Sequence, residues 1–211
     1  EDNGFLKFDF LGLTLLKDVE NCIYRILRKQ GNSNPTFLDA KAFFDEHLNC
    51  RYHEQNDQEV WKHVYHDGHF AGVFQFTNQG ARQFSLEAKP ENIEELAALT
   101  AIYRPGPLKA NVHRKYVKAK KNANSIKYDH PIIKEILGPT FGFVTFQEQF
   151  MLLAQKLAGF NPGESDKLRK TLVKKSLDTL HSKGSEKAKA REKFIKGSKE
   201  LNNVPESVSS K

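Results

Sequence analysis

Phe5-Leu6-Lys7-Phe8-Asp9-Phe10-Leu11-Gly12 alternates apolar and charged side chains near the start of the chain. Side chains two apart share one face of an extended strand, so Leu6, Phe8 and Phe10 can seal a core while Lys7 and Asp9 stand on the other side. A carboxylate can hold a divalent metal, and a lysine two residues away can meet the phosphate oxygens that the metal bridges. The same pattern also serves a half-solvated strand carrying an ion pair, which is the commoner use of such a strand.

Past this segment, Gly12 breaks the alternation and Thr14 can cap a helix. Leu15, Leu16, Val19, Cys22, Ile23, Ile26 and Leu27 recur at helical spacing, with Arg25, Arg28 and Lys29 late and Gly31 past the end. That predicts a helix with Cys22 on its buried stripe. Residues 38–49 and 57–66 read as two short helices, the second capped by Asp57. His63, His66 and His69 stand three apart, yet Gly68 should already have ended their helix and no nearby cysteine completes a zinc set. They read as exposed and helix-terminal histidines, and Trp61 as a core anchor. Residues 71–76 are apolar and bounded by glycine, which suits a buried strand leading through Asn78-Gln79-Gly80 into a helix. Residues 91–102 follow as a mostly buried helix, with Glu91, Glu94 and Glu95 toward its positive end.

Positive charge then accumulates. Tyr103-Arg104-Pro105-Gly106-Pro107 is a rigid turn, two prolines fixing φ around a glycine, and it holds Arg104 in place. Residues 109–127 carry Lys109, Arg114, Lys115, Lys118, Lys120, Lys121 and Lys127 with no acid among them before Lys127 closes the run. Phosphate contact needs positive side chains and no base specificity. Lys115, Lys118, Lys120 and Lys121 are therefore candidates for the backbone of DNA, with a solvated basic face as the alternative. Phe141, Phe143, Phe146 and Phe150 read as core. Pro162 starts a helix on which Ser165, Leu168 and Leu172 face inward, while Lys167, Lys170 and Lys174 repeat at i, i+3 and i+7, flanked by Arg169 and Lys175. Such crowded cations repel one another, and an anionic partner would offset that. Residues 176–201 are rich in lysine and poor in apolar side chains, which predicts an exposed helix with a break at Gly184. The last ten residues are expected to fray.

The chain has 211 residues and a formal net charge of +7, with 28% charged and 38% hydrophobic residues. One or two domains are expected. The surplus of Lys and Arg suits a polyanionic partner, and the hydrophobic content argues against wholesale disorder. No apolar run of about 18 residues is present for a membrane span, and no charged-then-apolar leader opens the sequence. Cys22 and Cys50 give neither a disulfide framework nor a CxxC pair. A cytoplasmic protein without a membrane partner is the expectation.

Five blocks stand in order along the chain: Lys7-Phe8-Asp9-Phe10-Leu11-Gly12-Leu13; Gly72-Val73-Phe74-Gln75-Phe76 with Gly80 and Arg82; Tyr103-Arg104-Pro105-Gly106-Pro107; Phe146-Gln147-Glu148-Gln149-Phe150-Met151; and Leu168-Arg169-Lys170 through Lys174-Lys175. Together they resemble the main branch of bacterial family C replicative DNA polymerases, the alpha subunit of DNA polymerase III, and ordered blocks are far more specific than any one alone. Four positions depart from the family pattern. Thr77 stands for a glutamate, Lys170 for a second arginine, Val173 for a glycine, and Ala119-Lys120 keeps only the lysine of an Arg-Lys pair.

The resemblance implies a mainly α fold with a few short strands: the last palm strand over residues 1–13, an incomplete fingers domain over 14–200 and a frayed tail over 201–211. It implies addition of deoxynucleotides to a primer 3′ end by two-metal phosphoryl transfer. Asp9 would be a catalytic carboxylate sharing two Mg2+ ions with carboxylates absent from this chain, since the family's D-x-D pair and Gly-Ser phosphate loop are missing. Lys7, Arg169, Lys170 and Lys174 would contact the triphosphate, with Arg82 and Arg104 as further fingers contacts. Implied partners are primer-template DNA, deoxynucleoside triphosphates, the remainder of the polymerase chain and replisome subunits. The sequence then reads as a piece of a polymerase, inactive alone. The alternatives are a non-catalytic basic DNA-binding module and one half of a split polymerase.

Overall fold

A computed structural model describes residue 8 and residues 10–51, 57–173 and 186–210, apart from the side chains of residues 172, 173 and 186. Lys7, Asp9, Lys174, Lys175 and Gly184 lie outside the described residues. Of the opening segment, Phe8, Phe10, Leu11 and Gly12 are described, all exposed and outside regular structure. Among the described residues all regular structure is helical, so the expectation of a few short strands is corrected there to helices alone. The chain divides into two compact units, one over Glu1–Asp57 with Gly72–Phe74, the other over Gln58–Ala71 with Gln75–Lys211.

The first unit contains α1 (Thr14–Lys29) and α2 (Phe37–His47). Leu13, not Thr14, occupies the N-cap position of α1, and no side chain caps it. Entry to α2 uses a reciprocal capping box: the Thr36 N–H donates to Asp39 Oδ2 at 2.7 Å and the Asp39 N–H to Thr36 Oγ1 at 3.4 Å. Ile23 and Ala40 are buried where the two helices pack. Cys22 is exposed, against its expected place on a buried stripe. With α2 its one neighbouring helix among the described residues of the unit, α1 is covered along a narrow line through Leu15, Val19, Ile23 and Leu27, and Cys22 falls beside it.

In the second unit, α3 (Gln58–Val60) runs directly into a π-helical turn, Trp61–His66. Trp61 is buried as anticipated. Phe70 and Phe76 stack with ring centroids 5.5 Å apart, and Tyr65 meets both edge-on. Residues 71–76 make turns rather than the expected strand. Gly72 at φ 75° and Gln75 at φ 64° are left-handed, which breaks an extended path.

Next come α4 (Gln79–Ala88), α5 (Ile93–Ile102), α6 (Pro105–Lys109) and α7 (Val112–Lys121). Phe84, Ala88, Ala98, Leu99, Ile102, Tyr116 and Val117 form the shared core of α4, α5 and α7, against which Phe141, Phe143 and Phe146 pack. These aromatic residues, with Phe150 on a second cluster, are partly buried against the core, as expected.

Then follow α8 (Pro131–Leu137), α9 (Gln147–Ala158), α10 (Pro162–Val173), α11 (Glu186–Asn202) and α12 (Glu206–Ser209). α9 is central, since α8, α10 and α11 all pack on it. The expected exposure of the lysine-rich helix is corrected for α11. A Cβ at Gly197 would lie 2.2 Å from the Ala158 carbonyl oxygen, so only glycine permits this crossing. Ser198 is fully buried, and Asn202 Nδ2 donates to the carbonyls of Lys156 and Leu157 at 2.9 and 2.8 Å, closing the end of α9. Toward the end of the chain, where fraying was expected, Val204 is buried and α12 follows it. Small residues let the backbones approach, so counting large apolar side chains missed this contact. Among the described residues no helix is long and apolar enough to cross a membrane.

Candidate functional site

α10 opens on a reciprocal cap in which the Glu164 N–H donates to Asn161 Oδ1 at 2.9 Å and the Asn161 N–H to Glu164 Oε2 at 3.1 Å. Ser165 and Leu168 are buried, as the spacing implied, and Gln155 Nε2 on α9 donates to Ser165 Oγ at 2.8 Å. Those anchors fix the rotation of α10 and leave Asp166, Arg169 and Lys170 on its less covered side. Arg169 donates from Nε and Nη2 to Asp166 Oδ1 at 3.0 and 2.6 Å, and from Nη1 to Gln147 Oε1 at 2.9 Å. Lys170 Nζ stands 2.8 Å from Asp166 Oδ2. Lys170, and after it Arg169, holds the Asp166 carboxyl below the usual carboxylate range. Arg169 and Lys170 therefore have counter-charge within their own helix. Its signal was in the sequence, since Asp166 precedes Arg169 by three residues and Lys170 by four.

Gln147 is placed by the first turn of α9, where Gln149 is buried among aromatic neighbours. Gln149 Oε1 accepts from the Thr145 N–H, the Thr145 hydroxyl and the Phe146 N–H at 2.9, 3.1 and 3.1 Å. Its Nε2 donates to the Ile136 carbonyl at 3.1 Å and to Thr140 Oγ1 at 2.8 Å. One side chain thus ties α8, the turn after it and the link into α9 together. Sequence reasoning passed over Gln149, although an amide between Phe146 and Phe150 needs a full set of partners if it is buried. The fourth and fifth sequence blocks meet in space through Gln147 and Arg169.

The second and third blocks make contacts of their own. Arg82 Nε donates to the Phe76 carbonyl at 2.7 Å, a contact within its own block. A Cβ at Gly80 would lie 2.1 Å from the Tyr103 hydroxyl oxygen, which donates to Asn78 Oδ1 at 3.1 Å. Residues 78–82 and the Tyr103 block therefore pack on each other. Arg104 is the exposed N-cap residue of α6, so Pro105 begins a short helix where a simple turn was expected.

On α7, Lys115, Lys118 and Lys121 are exposed. Lys120 is not a free cation: its Nζ stands 2.6 Å from Glu95 Oε2 and 2.5 Å from the Lys89 carbonyl, with side chains of Lys120 and Glu95 only 14% and 10% exposed. Glu95 also accepts from the Glu91 N–H at 3.0 Å. Lys120, expected to contact DNA, here makes a largely buried ion pair joining α5 to α7, with its ammonium facing inward. Tyr116 on the same helix is fully buried, and its hydroxyl has no protein partner. Burial first, and the Glu95 charge second, push its phenol up from the ordinary value of 10.0.

A family model described as the bacterial DNA polymerase III alpha subunit finger domain matches residues 26–202. Curated relatives named DNA polymerase III subunit alpha are similar over most of the chain. The protein from Borreliella burgdorferi is 38% identical over 184 residues, 86% of this chain and 14% of its own length. That from Aquifex aeolicus is 32% identical over 200 residues, 95% of this chain and 15% of its own. That from Treponema pallidum is 36% identical over 196 residues, 92% and 15%. The chain spans about 15% of the length of the curated relatives it matches.

Proposed function

The chain belongs to the bacterial DNA polymerase III alpha subunit finger domain family, and on that premise we propose that it serves template-directed addition of deoxynucleotides to a primer 3′ end. Arg169 and Lys170, with Lys174 beyond them and Lys7 from the opening segment, contact the incoming triphosphate. Lys115, Lys118 and Lys121 hold the primer-template backbone without reading its sequence. Arg82 and Arg104 belong to the fingers that support these contacts. The observation carrying this reading is the cluster of Arg169 and Lys170 on one carboxylate, beside Gln147 of the neighbouring block.

In such a reaction two Mg2+ ions activate the nucleophile and stabilise the leaving phosphate. Among the described residues no three His, Cys, Asp or Glu side chains are grouped to hold a metal ion. These residues do not make that centre, so the metal enters the proposal only through Asp9, together with carboxylates from elsewhere in a polymerase. The remainder of that polymerase and replisome subunits are the proposed protein partners, in the cytoplasm.

The isolated 211-residue chain is expected to extend no primer, and Asp9→Ala in the intact polymerase to abolish synthesis with little change in melting temperature. Primer extension and thermal unfolding check both. Asp9-dependent synthesis by the isolated chain, or undiminished synthesis by the Asp9→Ala polymerase, contradicts the proposal. The exposed lysines of α7 favour a second reading, a DNA-binding module without catalysis. Under it, nucleotide addition would be indifferent to Arg169.

A further inference from the structure

We propose that Asp166 and Gln147 are positioning residues that aim Arg169 at the phosphate it binds. This rests on the reading above, in which Arg169 meets the incoming triphosphate. A guanidinium has five N–H donors in one rigid plane. Three are engaged in Arg169: the Nε donor and one on Nη2 with Asp166, and one on Nη1 with Gln147. One donor therefore remains on Nη1 and one on Nη2. Both remaining donors are available to phosphate oxygens.

The acceptors come from different helices, Asp166 from α10 and Gln147 from α9. Together they fix both the reach and the rotation of the plane, whereas a single acceptor would leave it free to swing. Gln147 is itself held, because Gln149 anchors the turn from which it projects. Asp166 has a further effect through Lys170, which it pairs on its other oxygen. An arriving phosphate thus meets two oriented cations already spaced by a carboxylate.

The test is incorporation of dTTP opposite template dA by the intact polymerase, read as KM and kcat. Arg169→Ala should raise the KM for dTTP about thirtyfold, and Asp166→Ala and Gln147→Ala about tenfold and threefold. The KM for primer-template and the melting temperature should stay unchanged in all three. Asp166→Asn keeps an oxygen for Nε and Nη2 and should recover part of the loss. Combining Asp166→Ala with Arg169→Ala should cost no more than Arg169→Ala alone, because a positioning residue has nothing left to position. An unchanged KM in Asp166→Ala, or a loss that adds in full to that of Arg169→Ala, overturns the proposal. If Arg169→Ala itself leaves the KM for dTTP unchanged, the triphosphate reading falls, and this inference falls with it.

Discussion

α7 and α10 are both short basic helices, yet their cations are arranged in opposite ways. On α10, Arg169 and Lys170 are held at the surface by Asp166, and Arg169 is pinned a second time by Gln147. On α7, Lys115, Lys118 and Lys121 extend outward without an ion pair among the described residues, and the cation that does have a partner, Lys120, is drawn inside. Fixed donors suit a ligand with one defined geometry, such as a triphosphate. Long, unpaired lysines suit a repeating polyanion whose phosphates need no single register. The sequence already separates the two helices: α7 carries five Lys/Arg and no acid, whereas α10 carries three Lys/Arg beside Glu164 and Asp166.

The sharpest way to break this contrast is to treat Lys120 as if it were one of its outward neighbours. Lys120→Ala leaves Glu95 buried without its cation and should destabilise the fold by about 3 kcal/mol, visible as a melting-temperature drop of about 10 °C. Lys115→Ala should stay within about 0.5 kcal/mol of the parent. Equal effects would erase the distinction within α7. Replacing Lys115, Lys118 and Lys121 together by alanine should weaken DNA binding about thirtyfold, near 2 kcal/mol, and flatten its log-log salt dependence by about three units. Titration of a labelled duplex at several salt concentrations reads both quantities.

The buried face of α7 gives a smaller effect. Tyr116→Phe removes a hydroxyl that has no protein partner and should stabilise by about 1 kcal/mol in denaturant unfolding. The folded state raises the phenol's pKa, so the folded form holds its proton more tightly than the unfolded one. Stability is then complete below the unfolded value near 10 and lost as pH climbs beyond it. Tyr116→Phe should lessen that alkaline decline, leaving the part that belongs to Tyr65, whose phenol burial also raises, and an unchanged decline would contradict the assignment.

Helical spacing placed most of the elements, and it identified Ser165 and Leu168 as the inward side of α10 because both repeat on one face. It failed where burial depends on what a helix meets. Cys22 matched the apolar stripe of α1 but stands exposed beside a single packing helix, while α11 looked solvated until Gly197 and Ser198 allowed it against α9. The 71–76 segment has strand composition, but Gln75 adopts a positive φ that composition does not announce. At the site, the sequence motifs pointed to Arg169 and Lys170. The pairing with Asp166 was readable from i,i+3 and i,i+4 spacing, whereas the contact to Gln147 crosses from one helix to another and depends on the fold. The Glu95–Lys120 pair likewise joins residues far apart in the chain, and each alone reads as an ordinary surface charge.

The most direct measurement compares two variants of the intact polymerase, Arg169→Ala and the Lys115, Lys118 and Lys121 triple alanine, by their KM for dTTP and their Kd for primer-template. The expected result is a crossed pattern: the α10 variant loses nucleotide affinity and keeps DNA affinity, and the α7 variant does the reverse. Both variants shifting the same constant, or neither shifting either, would contradict the division of work between the two helices.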